Sequence, residues 1–358
     1  MMRRFISLLL MLATLAVVAP VFAQDVDDPA RAPGRARRAL AATQKYRDAG
    51  EHERAAGILA EALADHPDQD HHLLRLHLAL SLRALGRDAE ALVHLNAAAG
   101  LEPGSRNVQL ARAGAALAVE AYGDAAASLE AAWRLAPDEG PALLHDAVVA
   151  RLLADESERA AGLAAEFLDV AATPTVQQLR TVLTASMHAE SPALALRVAD
   201  RAVTVHADAP EAWILVSQVR QSVDDLAGAA AALQAADWLS PLTADERTRL
   251  GDLLFAAGVP ARAAAQYVDV FGDDPDADQA ERLASAWFAA HRLDEAVAVL
   301  RRAVASVPSV RLWALLGDAL LESERYDEAA EAYRSCLTLG GEDDDLRARL
   351  DYCETLLN

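Results

Sequence analysis

The feature that most constrains this chain is a period. Two short amphipathic helical stretches, set back to back, recur with starts near residues 36, 72, 106, 141, 176, 210, 244, 277 and 310. Self-similarity at roughly 34 residues marks an array of supersecondary units and not a set of globular domains. The clearest copy is VRLWALLGDALLESERYDEAAEAYRSCLTLGGED, residues 310–343, split by Glu322-Ser323-Glu324-Arg325. Each expected helix has about 12–14 residues and is marginal alone in water. Stacking on neighbours must therefore hold each one in place. Apolar residues make up 53% of the chain but aromatics only 5%. Alanine dominates, which suits an all-α chain with closely approaching helices.

The packing positions carry the phase. In 310–343, Trp313, Leu316, Gly317 and Leu320 share one face of the first stretch, and Ala329, Tyr333 and Cys336 share one face of the second. Small residues at Gly317 and Ala329 let the helices cross closely, while Leu316 and Tyr333 fill the space beside them. Corresponding positions are Tyr46, Gly50, Ala55, Leu59, Ala62 and Pro67 in the first unit, and Trp213, Val216, Ala229, Leu233, Ala236 and Pro241 in the sixth. The seventh has Leu250-Gly251, Leu254, Gly258, Ala263, Tyr267 and Pro275. Proline closes six units, and the units starting near 141 and 176 fit least well.

This pattern resembles the tetratricopeptide repeat, whose signature runs Trp, Leu-Gly, Tyr, then Ala, Phe and Pro over 34 residues. Leu320, Tyr333 and Gly341 are mild departures from it. The resemblance implies a right-handed α-solenoid of about nine helix-turn-helix units over residues 36–342, followed by a capping helix at 343–358. The acidic run Gly341-Glu342-Asp343-Asp344-Asp345 suits the start of that cap. Arg347, Arg349, Asp351 and Glu354 are expected on its solvated face.

Residues 1–23 read as an export signal. Met1-Met2-Arg3-Arg4 is a basic start, Phe5 to Val18 is apolar, and Val21-Phe22-Ala23 has a cleavage-site form. The expectation is a periplasmic or secreted protein cleaved after Ala23, with no membrane insertion afterwards. The alternative is an inner-membrane anchor through uncleaved residues 5–23, close to the length that spans a bilayer. Residues 24–35, with Pro29, Pro33 and Gly34, are expected as a poorly ordered linker. The net charge is −21, with Lys45 the single lysine. That balance opposes binding to phosphate backbones and to anionic lipid.

Chemistry is sparse. No glycine-rich phosphate loop, His-Glu-x-x-His or Gly-x-Ser-x-Gly occurs, so neither a cofactor nor an enzymatic activity is expected. His66, His71, His72 and His77 cluster, but as scattered surface histidines and not as ligands. The acidic stretch 273–278 lacks the glycine and closing glutamate of a calcium loop and reads as a helix cap. Cys336 and Cys353 sit on adjacent expected helices. They form either a disulfide pinning the cap or two buried thiols.

The resemblance further implies that first helices line a concave binding surface. Its candidate residues here are Gln44, Arg47, Arg83, Arg180, Thr184, Gln218, Gln221, Asp252, Ser285 and Asp318. With Lys45 alone and no matching asparagines, the family's lysine-and-asparagine clamp for a C-terminal carboxylate is absent. The expected role is a non-enzymatic scaffold of the cell envelope holding a protein or peptide. The alternative is a structural spacer or self-assembling component of an envelope, secretion or polysaccharide-export complex, without a dedicated ligand.

Overall fold

The computed structural model describes residues 27–307, 309–340 and 344–357. The expected export signal, Pro308 and the Gly341-Glu342-Asp343 start of the expected cap lie outside them. The described residues form an all-α array of nine helix pairs and a terminal helix. They fall into two compact units, Met1–Val198 and Ala199–Asn358.

In the first unit the pairs are α1 Gly34–Asp48 with α2 His52–Asp65, α3 His72–Ala84 with α4 Asp88–Leu101, and α5 Arg106–Ala118 with α6 Tyr122–Leu135. These are followed by α7 Ala142–Leu153 with α8 Ser157–Val170 and α9 Val176–His188 with α10 Pro192–His206, a helix that the boundary after Val198 divides. In the second unit they are α11 Pro210–Ser222 with α12 Leu226–Leu239, α13 Ala244–Ala256 with α14 Pro260–Phe271, and α15 Ala277–Ala289 with α16 Leu293–Ser306. The last pair is α17 Val310–Glu322 with α18 Tyr326–Thr338, and α19 Asp344–Leu357 closes the chain. Consecutive helices pack on one another from α1 to α9 and from α11 to α19, and first helices also touch: α1 with α3, α3 with α5, α7 with α9, and α15 with α17.

The two kinds of connection are built differently. Within every pair the turn has three residues, and its middle residue is left-handed: Gly50, Gly86, Glu120, Asp155, Glu190, Asp224, Gly258, His291 and Glu324, with φ from 49° to 78°. The next amide then reaches back five residues. Glu51 N donates to Tyr46 O at 2.7 Å, Ala121 N to Ala116 O at 2.8 Å, and Arg325 N to Leu320 O at 2.9 Å. This is the helix-ending bond that satisfies an otherwise orphaned carbonyl. Between pairs, side chains start several of the next helices, as Asp225 also does within one pair. Ser105, Thr175, Thr243, Asp276 and Ser309 each accept from an amide in the first turn of the helix they precede. Thr175, Thr243 and Asp276 form reciprocal capping boxes with Gln178, Glu246 and Gln279. Asp276 thus belongs to a cap within the acidic stretch.

The cores follow from the small residues. In the second unit Ala229, Leu233, Leu250, Ala263, Leu283, Ala296, Leu316, Ala329, Tyr333 and Cys336 are among the residues of one buried cluster. In the first, Leu40, Leu59, Leu73, Leu78, Ala79, Leu95 and Val108 belong to another. Helix α7 is buried from Leu144 to Leu152, charged groups included. There Arg151 pairs with Glu156 at 2.5 Å and lies 3.7 Å from Glu130, so its buried charge is compensated.

Two expectations change. Residues 27–33 are not a loose linker. Pro29–Arg31 forms a 3₁₀ turn capped by Asp28, and Ala32 is 5% exposed. On α19, Arg349 is not a solvated outer residue but is bonded to Asp318. Arg349 sits five residues into α19, as Arg282 sits five residues into α15. Helix α19 therefore takes the place of a first helix. Where α17 presents Gly317 to its own second helix, α19 carries the exposed Asp351. A charge at that position disfavours docking of another helix, which is what a cap requires.

Candidate functional site

The expected site residues lie on first helices, and the structure groups them unequally. In the second unit polar side chains cross from each first helix to the next. Arg249 Nη2 on α13 donates to Gln221 Oε1 on α11 at 2.6 Å. Arg282 Nη1 on α15 donates to both oxygens of Asp252 on α13 at 2.6 Å. Arg311 on α17 pairs with Glu281 on α15, and Arg349 on α19 pairs with Asp318 on α17. A row of rungs thus runs over the first helices from α11 to α19. The expectation had named one side of the rungs, Gln221, Asp252 and Asp318, and missed the arginines. The missed signal was spacing: an acid and an arginine 30 or 31 residues apart fall on adjacent first helices.

Two rungs extend into the core. Tyr267 on α14 is 2% exposed, and its hydroxyl donates to Asp252 Oδ1 at 2.6 Å. Tyr333 on α18 is fully buried and donates to Asp318 Oδ1 at 2.8 Å. Burial, and then the bond to each carboxylate, push both phenols above their ordinary range. The same carboxylates hold Arg282 and Arg349 in their charged forms, raising both guanidinium pKa values. Glycine beside each aspartate makes room for the ring. A Cβ on Gly251 would lie 2.4 Å from Tyr267 Cε1, and one on Gly317 would lie 2.5 Å from Tyr333 Cε1. Asp252 and Asp318 therefore clasp three helices each, and they are structural before they are available to a ligand.

Beside the first clasp is an open cavity of about 370 Å³, lined by Asp245, Thr248, Arg249, Asp252, Asp276 and Arg282, among others. Gln218 and Ser285, the other expected residues of this unit, are half-buried on α11 and α15.

In the first unit the expected residues are not joined into one row. Gln44 and Arg47 bond to each other within α1, and Gln44 Nε2 also donates to Asp48 Oδ1 at 2.7 Å. Arg83 donates to Asp88 Oδ1 across its own turn at 3.1 Å, and its guanidinium lies over Gly114 of α5. Arg180 is exposed on α9, and the hydroxyl of Thr184 donates to its carbonyl at 3.0 Å.

Cys336 and Cys353 are both buried and stand as thiols, with Cys336 Sγ donating to Val310 O at 3.4 Å. Burial raises the Cys353 pKa. His71 and His72 stack with ring centroids 4.4 Å apart. Among the described residues no three His, Cys, Asp or Glu side chains gather as metal ligands, and no helix is long and apolar enough to cross a membrane.

The sequence profile of the tetratricopeptide repeat family matches residues 248–310 and 282–344. No curated protein sequence matches the chain. Among solved structures, the P58(IPK) TPR domain is 17% identical, with 89% of this chain and 97% of that one covered and a TM-score of 0.28. A tetratricopeptide repeat protein from Parabacteroides merdae is 14% identical, with 88% and 98% covered and a TM-score of 0.29.

Proposed function

We propose, for a chain whose residues 248–344 belong to the tetratricopeptide repeat family, that it is a non-enzymatic scaffold holding a protein or peptide partner against its first helices. Arrays of this family generally mediate protein–protein interaction. The observation that carries the reading is the row of polar side chains on α11 to α19, of which Arg249, Asp252 and Arg282 border the 370 Å³ cavity. Neighbouring arginines and carboxylates are paired there, and such pairing restricts their rotamers and lowers the entropy a partner must remove on docking. Gln218 and Ser285 are the groups through which such a surface would discriminate, and in the first unit, taken by itself, Arg180 and Thr184 are the corresponding groups. We place the scaffold in the cell envelope, on the basic start, apolar run and cleavage motif of residues 1–23. Purified protein with the intact mass of the chain from Gln24 supports export with cleavage; a mass beginning at Met1 rejects it.

The rungs also favour a second reading. Most of the charged groups on this row already have partners inside the chain, as in a spacer that binds nothing. Photo-crosslinking separates the two. A photoreactive residue at Arg180, Gln218 or Ser285 should capture a discrete partner in cells, and one at the exposed Arg159 or Arg334 of second helices should not. Capture from neither set, or equally from both, rejects the scaffold.

A further inference from the structure

The segment ahead of α1 makes a contact that its composition does not announce. Asp27 lies at the starts of α3 and α5, about 80 residues along the chain from the second. Its Oδ1 accepts from Ser105 Oγ at 2.7 Å and lies 3.3 Å from His72 Nε2, and its Oδ2 accepts from Asn107 Nδ2 at 2.7 Å. His72 is 6% exposed and Ser105 1% exposed. Ser105 is also the N-cap of α5, its Oγ accepting from Val108 N at 3.2 Å. The cap fixes the hydroxyl oxygen whether or not Asp27 is present, and the positive end of α5 lies behind it. Two first helices thus aim three side-chain nitrogens and oxygens at a single carboxylate, with no lysine or arginine among them.

Burial alone would raise the Asp27 pKa. The bonds from His72, Ser105 and Asn107 outweigh it and bring the carboxyl below its ordinary range. The rest of the segment is lightly held. Ala32 is buried, Arg37 Nη1 donates to Ala30 O at 3.3 Å, and Asp28 caps the 3₁₀ turn.

We propose that His72, Ser105 and Asn107 form a carboxylate-binding site on the first-helix face, and that residues 27–33 occupy it as an internal competitor of an acidic side chain supplied by a partner. This rests on the reading of that face as a protein-binding surface. The hydroxyl of Ser105 and the amide of Asn107 recognise a carboxylate by hydrogen-bond geometry, with the His72 ring beside it and no lysine or arginine in the cradle. Such a site can therefore serve an acidic chain without a basic patch. A tethered occupant competes at a high effective concentration. If the site is nine-tenths to ninety-nine-hundredths filled from within, an outside carboxylate binds about 10–100-fold more weakly than it would to the emptied site.

The test uses the full-length chain and a fluorescein-labelled peptide of its own residues 24–34, titrated by fluorescence anisotropy. The Asp27→Ala protein should bind the peptide at least tenfold more tightly than the wild type. Alanine at the peptide's Asp27 position should abolish the gain, and so should Asn107→Ala added to the Asp27→Ala protein. Equal binding to wild type and Asp27→Ala, no binding to either, or a gain that survives the alanine peptide overturns the proposal. If photo-crosslinking captures a partner but this gain is missing, the cradle alone is refuted. If the gain appears without any capture, the scaffold reading is what fails.

Discussion

Replacing Gly317 with alanine tests the clasp at the end of the array. Taken as a helix residue alone, alanine is the better choice by about 1 kcal/mol. The surroundings reverse that preference. The new Cβ would sit 2.5, 2.7 and 2.9 Å from Cε1, Cδ1 and Cζ of Tyr333. The ring is fully buried and its hydroxyl is fixed on Asp318, so it has no free direction to move. Overpacking costs about 1–3 kcal/mol. A ring pushed aside also loses its bond to a charged acceptor, worth about 1.5–3 kcal/mol. The net expectation is a loss of about 2–4 kcal/mol. Urea denaturation followed by circular dichroism measures it, and hydrogen exchange should place the new opening in α17, α18 and α19. Gly57→Ala and Gly162→Ala are the controls. Both are exposed positions inside helices with nothing within 4 Å of a Cβ, and each should gain about 0.5–1 kcal/mol. A Gly317→Ala protein as stable as these controls would refute the clasp and the register assigned to it.

The left-handed turns give a further contrast. Gly86→Ala meets no atom within 4 Å yet has a φ of 74°, so it should lose about 1 kcal/mol from backbone strain alone; an unchanged melting curve counts against this. Tyr267→Phe should cost about 1.5–3 kcal/mol, the value of its bond to the charged Asp252; no measurable loss by urea denaturation would mean the hydroxyl does not hold the clasp. Thiol titration should find Cys336 and Cys353 slow to react in the native protein and both reactive once denatured without reductant, whereas no reactive thiol would establish a disulfide. Asp27 has its folded-state pKa lowered, so its contribution is present above the ordinary carboxylate pKa and lost as pH falls through the folded value. Exchange protection of the Arg31 and Ala32 amides should therefore survive to about pH 4 and fail below it; protection unchanged down to about pH 2 would mean that the Asp27 carboxylate does not hold the segment.

The array was legible in the sequence because its packing positions recur. Leu250, Leu283 and Leu316, or Ala263, Ala296 and Ala329, repeat at the period, and each needs the same neighbour. The turns were not legible. Six of the nine left-handed positions carry Glu, Asp or His in place of glycine. Those residues hold the conformation because the flanking helices impose it, an effect that local composition does not encode. The first-helix site was half legible. Asp252 and Asp318 were singled out as groove residues, but their partners Arg282 and Arg349 lie a full unit further along, and Tyr267 and Tyr333 were read as packing alone. Asp27 was invisible, since a proline-bounded segment gives no hint of a contact some 80 residues away.

The two kinds of turn decide where this chain can change length. Every within-pair turn has three residues and one fixed backbone path, so a residue gained or lost there would rotate the following helix off its partner. The connectors between pairs already differ, from the three residues before Pro210 to the six before His72 and Ala142. Insertions should therefore accumulate at the caps and not at the left-handed bends. A whole pair, cut from one cap to the next, is the piece that can be duplicated or removed while leaving both new joints of a kind the chain already uses.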